Sequence, residues 1–248
     1  MHIYPYSMKS ASAKALAEAL GIKRAKAEGK PLKTDVLINW GASTIEREIN
    51  GVILNKPEAV KKAVNKLETF KALKSIVPIP DFTESLEEAN KWLAEGATVV
   101  ARTKLAAHSG EGIIIIDTDS GEKLPKAKLY TRYVPKTSEF RVHTNKDGAF
   151  FVQQKKRNKE VADDKVNWMV RNYANGFIFA NKDLDIPNVV RLTEITVNAI
   201  RALDLDFGAV DVIYNQKRGE YYVLEVNTAC GMEGTTLDKY VEMFKEIA

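Results

Sequence analysis

The stretch Phe207–Gly231, FGAVDVIYNQKRGEYYVLEVNTACG, limits what this chain can fold into more than any other. Two runs rich in Val, Ile and Tyr, Gly208–Tyr214 and Tyr221–Val226, flank NQKRG, a turn signal, and together they read as two antiparallel strands. Asp211 lies near the middle of the first strand. Glu225 and Asn227, near the end of the second, point to one face because strand side chains alternate with period 2. By spacing alone, Asp211 and Glu225 read either as solvent-facing strand residues or as converging oxygen ligands. The apolar flanks in VDVIY and VLEVN favour the second reading, since a buried acid needs a partner or a metal. Two carboxylates and a carboxamide oxygen suit Mg²⁺, whose shell is completed by water and substrate phosphates.

At 248 residues the chain is one large domain or two small ones, with enough length for a substantial core. A hydrophobic share of 45% and a charged share of 28% exclude a disordered chain. No apolar run approaches the roughly 20 residues of a membrane span, and MHIYPYSMKS lacks the layout of a signal peptide, so a cytoplasmic protein without a membrane partner is expected. Cys230, the single cysteine, agrees with a reducing compartment, and three scattered histidines with one cysteine do not make a zinc site. The net charge, 37 basic minus 33 acidic residues or +4, is too small to call for nucleic acid. Residues 1–34 nevertheless hold seven basic residues against Glu18 and Glu28: a solvated helix face, or a docking surface for an anionic partner.

HIYPY reads as a first strand, SMKSASAKALAEALG as a helix capped by Ser10 and stopped by Gly21, and DVLINWG as a second strand. That order implies a small α/β unit with parallel strands, ending near Asn55 and leaning on the remainder of the chain. KPEAVKKAVNKLETFKALKS carries Val60, Ala63, Val64, Leu67, Phe70 and Leu73 on a helical period and predicts a helix over 56–75, with Pro57 in its first turn. VPIPDF is an extended linker, SLEEANKWLAEG an amphipathic helix closed by Gly96, and ATVVARTKL a buried strand. In AAHSGEGIIIID, Gly110 and Gly112 precede four isoleucines, a strand signal. A glycine loop between two strands covers phosphates through its backbone amides, or is a hairpin turn that merely tolerates glycine. KLYTRYV, SEFRVHTN and AFFVQQKKR read as strands, and Glu139, Arg141 and His143 share one face by alternation. The basic run at 155–159 is a solvated strand end or a source of phosphate counter-charge. VNWMVRNYANGFIF is irregular. NVVRLTEITVNAIRALDL and GTTLDKYVEMFKEIA are helices, the last capped by Thr235 or Thr236.

Taken in order, these motifs resemble the ATP-grasp superfamily, which includes D-alanine ligases, glutathione synthetases and the ligases that add glutamate to ribosomal proteins. The resemblance spans about Asn55 to Cys230. NKL at 65–67, ahead of VPIPDF, is similar to the family's DKL motif and makes Lys66 its lysine. Arg102 in VVART stands at the family's second lysine, with Lys104 the other claimant; an arginine keeps the charge and adds a bidentate fork. HSGEGI matches the glycine loop at Ser109, Gly110 and Gly112, and YTRYV the hinge whose backbone reads adenine, at Thr131, Arg132, Tyr133 and Val134. SEFRVH resembles the family's D-I-R strand, giving Glu139 and Arg141. QQKKR resembles a strand with a basic pair, Lys156 and Arg157, and VRNYANG loosely resembles an R-x-N loop with Arg171. DFGAVDV and LEVNTACG match the metal strands, with Asp211, Glu225 and Asn227 as ligands. The short N-terminal layer and the arginine in the lysine position are similar to small phage-type members.

The resemblance implies an α+β architecture. Two subdomains with antiparallel sheets, residues 56–127 with the glycine loop and 128–248 with the metal site, clasp ATP behind a short α/β layer at 1–55. It implies a carboxylate–amine ligase that makes an amide or peptide bond through an acyl phosphate and releases ADP and phosphate. ATP and one or two Mg²⁺, with Mn²⁺ as a substitute, are the expected cofactors; a carboxylate and an amine acceptor, unidentified by sequence, are the expected partners. Lys66 and Arg102 then pair with phosphates, and Arg141, Arg171 and Lys156 serve the transferring group. This chemistry needs no thiol or imidazole nucleophile. His108 either touches a phosphate or is a bystander, and Cys230 either meets substrate or is a small buried residue. Two other functions fit the same motifs: an ATP-binding regulatory or scaffold protein without turnover, and a ligase acting on a macromolecule.

Overall fold

The computed structural model of the chain describes residues 1–106 and 111–247. Its first layer contains β1 (His2–Pro5), α1 (Ala11–Leu20), β2 (Lys23–Arg24), β3 (Leu32–Trp40) and β4 (Ile49–Leu54). These strands form a parallel sheet of order β2-β1-β3-β4. The Ser10 hydroxyl caps α1 by accepting from Ala13 N at 3.2 Å, and Gly21 ends it in the left-handed region at φ 66°. The edge strand β4 lies in a stretch that sequence periodicity does not mark.

Next come α2 (Pro57–Val64), α3 (Lys66–Leu73), β5 (Phe82–Thr83), α4 (Leu86–Ala94), β6 (Val99–Arg102), β7 (Ile113–Ile116) and β8 (Leu129–Arg132). The single helix expected over 56–75 is broken at Asn65, which is extended (φ −95°, ψ 106°) and caps α3 by accepting from Leu67 N and Glu68 N. The break puts Lys66 at the first position of a new helix. β5, β8, β6 and β7 form a four-stranded antiparallel sheet. Ala89 and Trp92 of α4 pack on it with Val99, Ala101 and Tyr130.

The rest comprises β9 (Ser138–Asn145), β10 (Ala149–Arg157), β11 (Phe177–Ala180), α5 (Val189–Ala202), β12 (Phe207–Asn215), β13 (Glu220–Asn227) and α6 (Thr235–Ile247). Here the sheet is antiparallel with order β11-β10-β9-β12-β13. Phe140, Val142, Val210, Val212, Tyr221 and Val223 turn one face of it to α2 and α5, and Leu192, Ile195, Ile200, Val60 and Leu73 fill that core. Layers and chain order interleave around residue 127. β8 lies beyond it yet pairs with β6, while α2 packs on the five-stranded sheet. Thr235 and Thr236, expected as caps of α6, both lie inside its first turn.

The N-terminal layer contacts this sheet. Asn55, in the left-handed region at φ 58°, donates to Phe207 O (3.0 Å) and accepts from Asp206 N (2.8 Å) and Phe207 N (3.2 Å). Trp40, Phe207, Tyr240 and Phe244 then form one aromatic cluster under α1 and α6. Among the described residues no helix is long and apolar enough to cross a membrane.

Candidate active site

A cleft of about 640 Å³ opens between the two antiparallel sheets. Its floor is the polar face of the five-stranded sheet. Directly opposite residues on antiparallel strands share a face, and Asp211 stands opposite Arg141 on one side and Glu225 on the other. The second pairing needs a β-bulge between Asp211 and Val212. Counted back from the turn, through Asn215 opposite Glu220 and Val212 opposite Val223, a regular hairpin places Leu224 opposite Asp211 and turns Glu225 to the core. The extra residue brings Glu225 and Asn227 round to the face of Asp211. Asn227 Nδ2 donates to Glu225 Oε1 at 3.2 Å.

Asp211 is 4% exposed and bound bidentately by Arg141, Nε to Oδ1 at 2.7 Å and Nη2 to Oδ2 at 2.8 Å. Burial alone raises the Asp211 carboxyl, but the guanidinium overrides it and holds the group at about 2. Arg141 is also stacked on Phe179, 4.6 Å from the ring centroid. Lys66 reaches across from α3 to Glu225 at 3.3 Å. Arg102, at the end of β6, lines the cleft from the other sheet. Its Nε has no hydrogen-bond partner among the described residues, and burial lowers its pKa. Lys104, the other claimant for that position, is paired with Glu111 on the surface.

Beside the Asp211 pair, Glu139 (3% exposed) holds two lysines, Lys136 at 2.9 Å and Lys155. The sequence marks Lys155 only as part of the basic run at 155–159, and Lys136 not at all. Lys155 stands opposite Glu139, because Gln153 stands opposite Arg141 and the alternation carries on. Lys156, expected to be catalytic, faces the other side of the sheet, where its amine donates to Asp183 O at 2.6 Å, and it does not line the cleft. Arg171 lines the cleft but directs its guanidinium to the carbonyls of Lys136, Thr137 and Trp168, 3.2–3.3 Å away, and stacks on Trp168 and Phe177. Lys136 donates back to Met169 O at 3.1 Å, so the 169–171 stretch is tied to residues 136 and 137 in both directions. The expected hinge residues Thr131, Arg132, Tyr133 and Val134 line the cleft where the chain passes from one sheet to the other. Gly112 adopts φ 75° at the base of the β6–β7 turn, where a Cβ would come within 2.8 Å of Thr103 Oγ1. Ser109, Gly110 and His108 lie outside the described residues.

Seven basic and four acidic side chains line the cleft among the described residues, an excess of three positive charges: Lys66, Arg102, Arg132, Lys136, Arg141, Lys155 and Arg171 against Glu111, Glu139, Asp211 and Glu225. Such a cleft selects a polyanion. The basic N-terminal residues contribute nothing to it. Lys14 pairs with Glu18 on α1, and Arg24 donates to Met8 O.

Comparison with solved structures identifies the architecture. PsnB, an ATP-grasp ligase solved with a minimal precursor, matches 100% of this chain and 99% of its own with a TM-score of 0.70 at 10% identity. A RiPP-associated ATP-grasp ligase from Chryseobacterium gregarium, solved with ADP and a leader and core peptide, matches 100% of this chain and 96% of its own at TM-score 0.67 and 15% identity. D-alanine–D-alanine ligase from Bacillus anthracis matches 99% of this chain and 92% of its own at 0.61 and 13%. This chain has the ATP-grasp fold. No protein-family model matches the sequence, and no curated protein matches it. Other structures of PsnB contain Mg and ADP.

Proposed function

We propose that this ATP-grasp protein is an ATP-dependent carboxylate–amine ligase. The observation that carries the reading is the charge of the cleft: three excess positive charges, set around two carboxylates and a carboxamide that share one sheet face. Lys66 and Arg102 bind phosphate oxygens from opposite sides of the cleft. The Arg102 Nε, without a hydrogen-bond partner among the described residues, is available to an anionic acceptor in the cleft. Arg141, fixed by Asp211 and Phe179, and Lys155, fixed by Glu139, line the cleft where charge develops on the transferring phosphoryl group. The γ-phosphoryl group passes to a substrate carboxylate, ADP leaves, and an amine displaces phosphate from the acyl phosphate to give an amide.

Asp211, Glu225 and Asn227 form a hard oxygen set of the kind Mg²⁺ takes. Each Asp211 oxygen accepts one bond from Arg141 and keeps a lone pair for a cation. A Mg²⁺ held by these three residues would supply charge neutralisation for the phosphoryl transfer. Lys136 and Arg171 hold the 168–171 stretch against the cleft lining. A peptide as one substrate is supported by the peptides bound to PsnB and its Chryseobacterium counterpart, and here by Tyr6 and Tyr173, cleft residues that are 59% and 81% exposed. We assign the activity to the cytoplasm, where ATP is available and the lone thiol stays reduced.

The test is ADP release with Mg²⁺–ATP in a screen of carboxylates paired with amines, including acidic peptides. Glu225→Gln combined with Asn227→Ala is expected to abolish ADP formation while the protein stays folded by circular dichroism. Activity within about tenfold of wild type, roughly 1.4 kcal/mol in the barrier, would remove these residues from the site.

A further inference from the structure

Behind the cleft runs a hydrogen-bonded chain that the ligase reaction does not use. His143 Nε2 lies 2.9 Å from Gln153 Oε1. A carbonyl oxygen only accepts, so Nε2 carries the ring proton and Nδ1 is the acceptor. Gln153 Nε2 donates onward to Thr236 Oγ1 at 3.4 Å, which fixes the amide in that orientation. Tyr240, with its hydroxyl 3.2 Å from Nδ1, therefore donates to the imidazole, and its oxygen accepts from the Cys230 thiol at 3.4 Å, nearer than the 3.8 Å from that thiol to Nδ1, whose one lone pair Tyr240 takes. The bonds run one way, from Cys230 through Tyr240, His143 and Gln153 to Thr236. Every member is neutral at pH 7: burial lowers the imidazole to about 4 and pushes the thiol and the phenol up.

The chain begins in a loop that has work elsewhere. Thr228, Ala229, Cys230 and Gly231 follow Asn227 directly and line the cleft. On the opposite side Gly41, at φ 81°, lies so near that a Cβ there would stand 2.7 Å from Ala229 Cβ. The loop is thus held between the N-terminal layer in front and α6 behind. We propose that Cys230, Tyr240 and His143 are positioning residues, whose one-directional chain fixes the 228–231 loop and with it the Asn227 end of the metal-ligand set. The inference rests on the ligase reading for what that end binds.

Because Cys230 is the only cysteine, the protein has a single infrared S–H band. Tyr240→Phe keeps the ring packing and removes the nearer acceptor, leaving His143 Nδ1 at 3.8 Å, so the band shifts; Cys230→Ser abolishes it. Binding of AMPPNP is then titrated with Mg²⁺ by calorimetry. Tyr240→Phe and Cys230→Val are expected to weaken the Mg²⁺ dependence about three- to tenfold, at or below the effect of a direct outer-shell partner, with Mg²⁺-free AMPPNP affinity within about twofold of wild type. Cys230→Ser keeps a donor and returns the Mg²⁺ dependence to within about twofold of wild type. An unshifted band in Tyr240→Phe, or equal Mg²⁺ dependence in the valine and serine variants, overturns the proposal. A shifted band with nucleotide bound normally and Mg²⁺ dependence unaltered overturns the positioning role alone, whereas a wild type that binds no AMPPNP with Mg²⁺ overturns the ligase reading along with it.

Discussion

The two antiparallel sheets that face each other across the cleft solve opposite problems. The five-stranded sheet carries its charges in pre-formed pairs, Arg141 with Asp211 and Glu139 with Lys136 and Lys155, over a continuous apolar core. The four-stranded sheet places two cations, Arg102 and Arg132, on the cleft, each with an Nε unsatisfied among the described residues; Arg132 is paired with Glu95, Arg102 is the more buried, and the sheet packs on a much smaller core. Charges on the first sheet are therefore part of the folded state's own electrostatics and are aimed before anything binds. The charge on the second, at Arg102, is buried with its Nε unsatisfied among the described residues. Substituting a cation on either sheet removes the same formal charge, so the outcomes separate the two roles.

The largest effect is expected at Arg141. Arg141→Met leaves the Asp211 carboxylate buried without its partner, which costs about 3–5 kcal/mol of unfolding free energy in urea denaturation. The double variant Arg141→Met with Asp211→Leu should recover most of that loss without recovering nucleotide binding. Stability within about 1 kcal/mol of wild type for the single variant would show that the pair does not anchor the sheet.

The same sheet gives a pH signature. His143 is 1% exposed and neutral, its pKa lowered by burial to about 4 from the usual 6.5. Between those values the unfolded chain binds a proton that the folded chain does not, so stability is full above pH 6.5 and falls as the pH drops towards 4. The loss is about 3 kcal/mol. A second loss begins as the pH falls below about 4, when Asp211, held at about 2, is protonated in the unfolded chain first. In His143→Gln the slope between pH 6.5 and 4 should flatten while the lower one persists; a slope unchanged by the substitution would assign it elsewhere.

On the other sheet, Arg102→Met is expected to leave the unfolding free energy unchanged or slightly raised, because a desolvated charge with an unsatisfied Nε is lost. AMPPNP affinity should fall about tenfold or more, 1.4 kcal/mol. A variant destabilised as strongly as Arg141→Met would erase the contrast between the sheets.

How far the sequence reveals this arrangement depends on whether a feature is local. The glycine stop at Gly21, the Ser10 cap and the isoleucine strand are set by neighbouring residues, and the sequence states them. The order of motifs also reveals the fold, because each motif sits on an element whose type its periodicity marks. The convergence of Asp211 with Glu225 is not local in this sense. It depends on a bulge at Leu224 that no alternation pattern displays, and a hairpin counted from its turn turns Glu225 inward. β4 and β11 escape for a related reason: INGVIL contains Gly51, and FIFA is too short to show a period.

The smallest effect tests the sharpest difference between sequence and structure, the choice between two adjacent lysines. A basic pair on a strand has one member on each face, and nothing in QQKKR says which face is which. The register decides it: Gln153 opposite Arg141 puts Lys155 beside Glu139 and sends Lys156 to the far side, to Asp183 O. Lys155→Ala should weaken AMPPNP binding measurably and leave Glu139, 3% exposed, with Lys136 as its remaining lysine, at a cost of about 1–3 kcal/mol in stability. Lys156→Ala should change stability by no more than about 0.5 kcal/mol and leave nucleotide affinity at the wild-type value. Reversed outcomes would mean that β10 is shifted by one residue against β9. That shift would also take Lys155 from Glu139 and Gln153 from His143, so the two alanine variants, read together by calorimetry and denaturation, test the register on which both sides of the cleft floor depend.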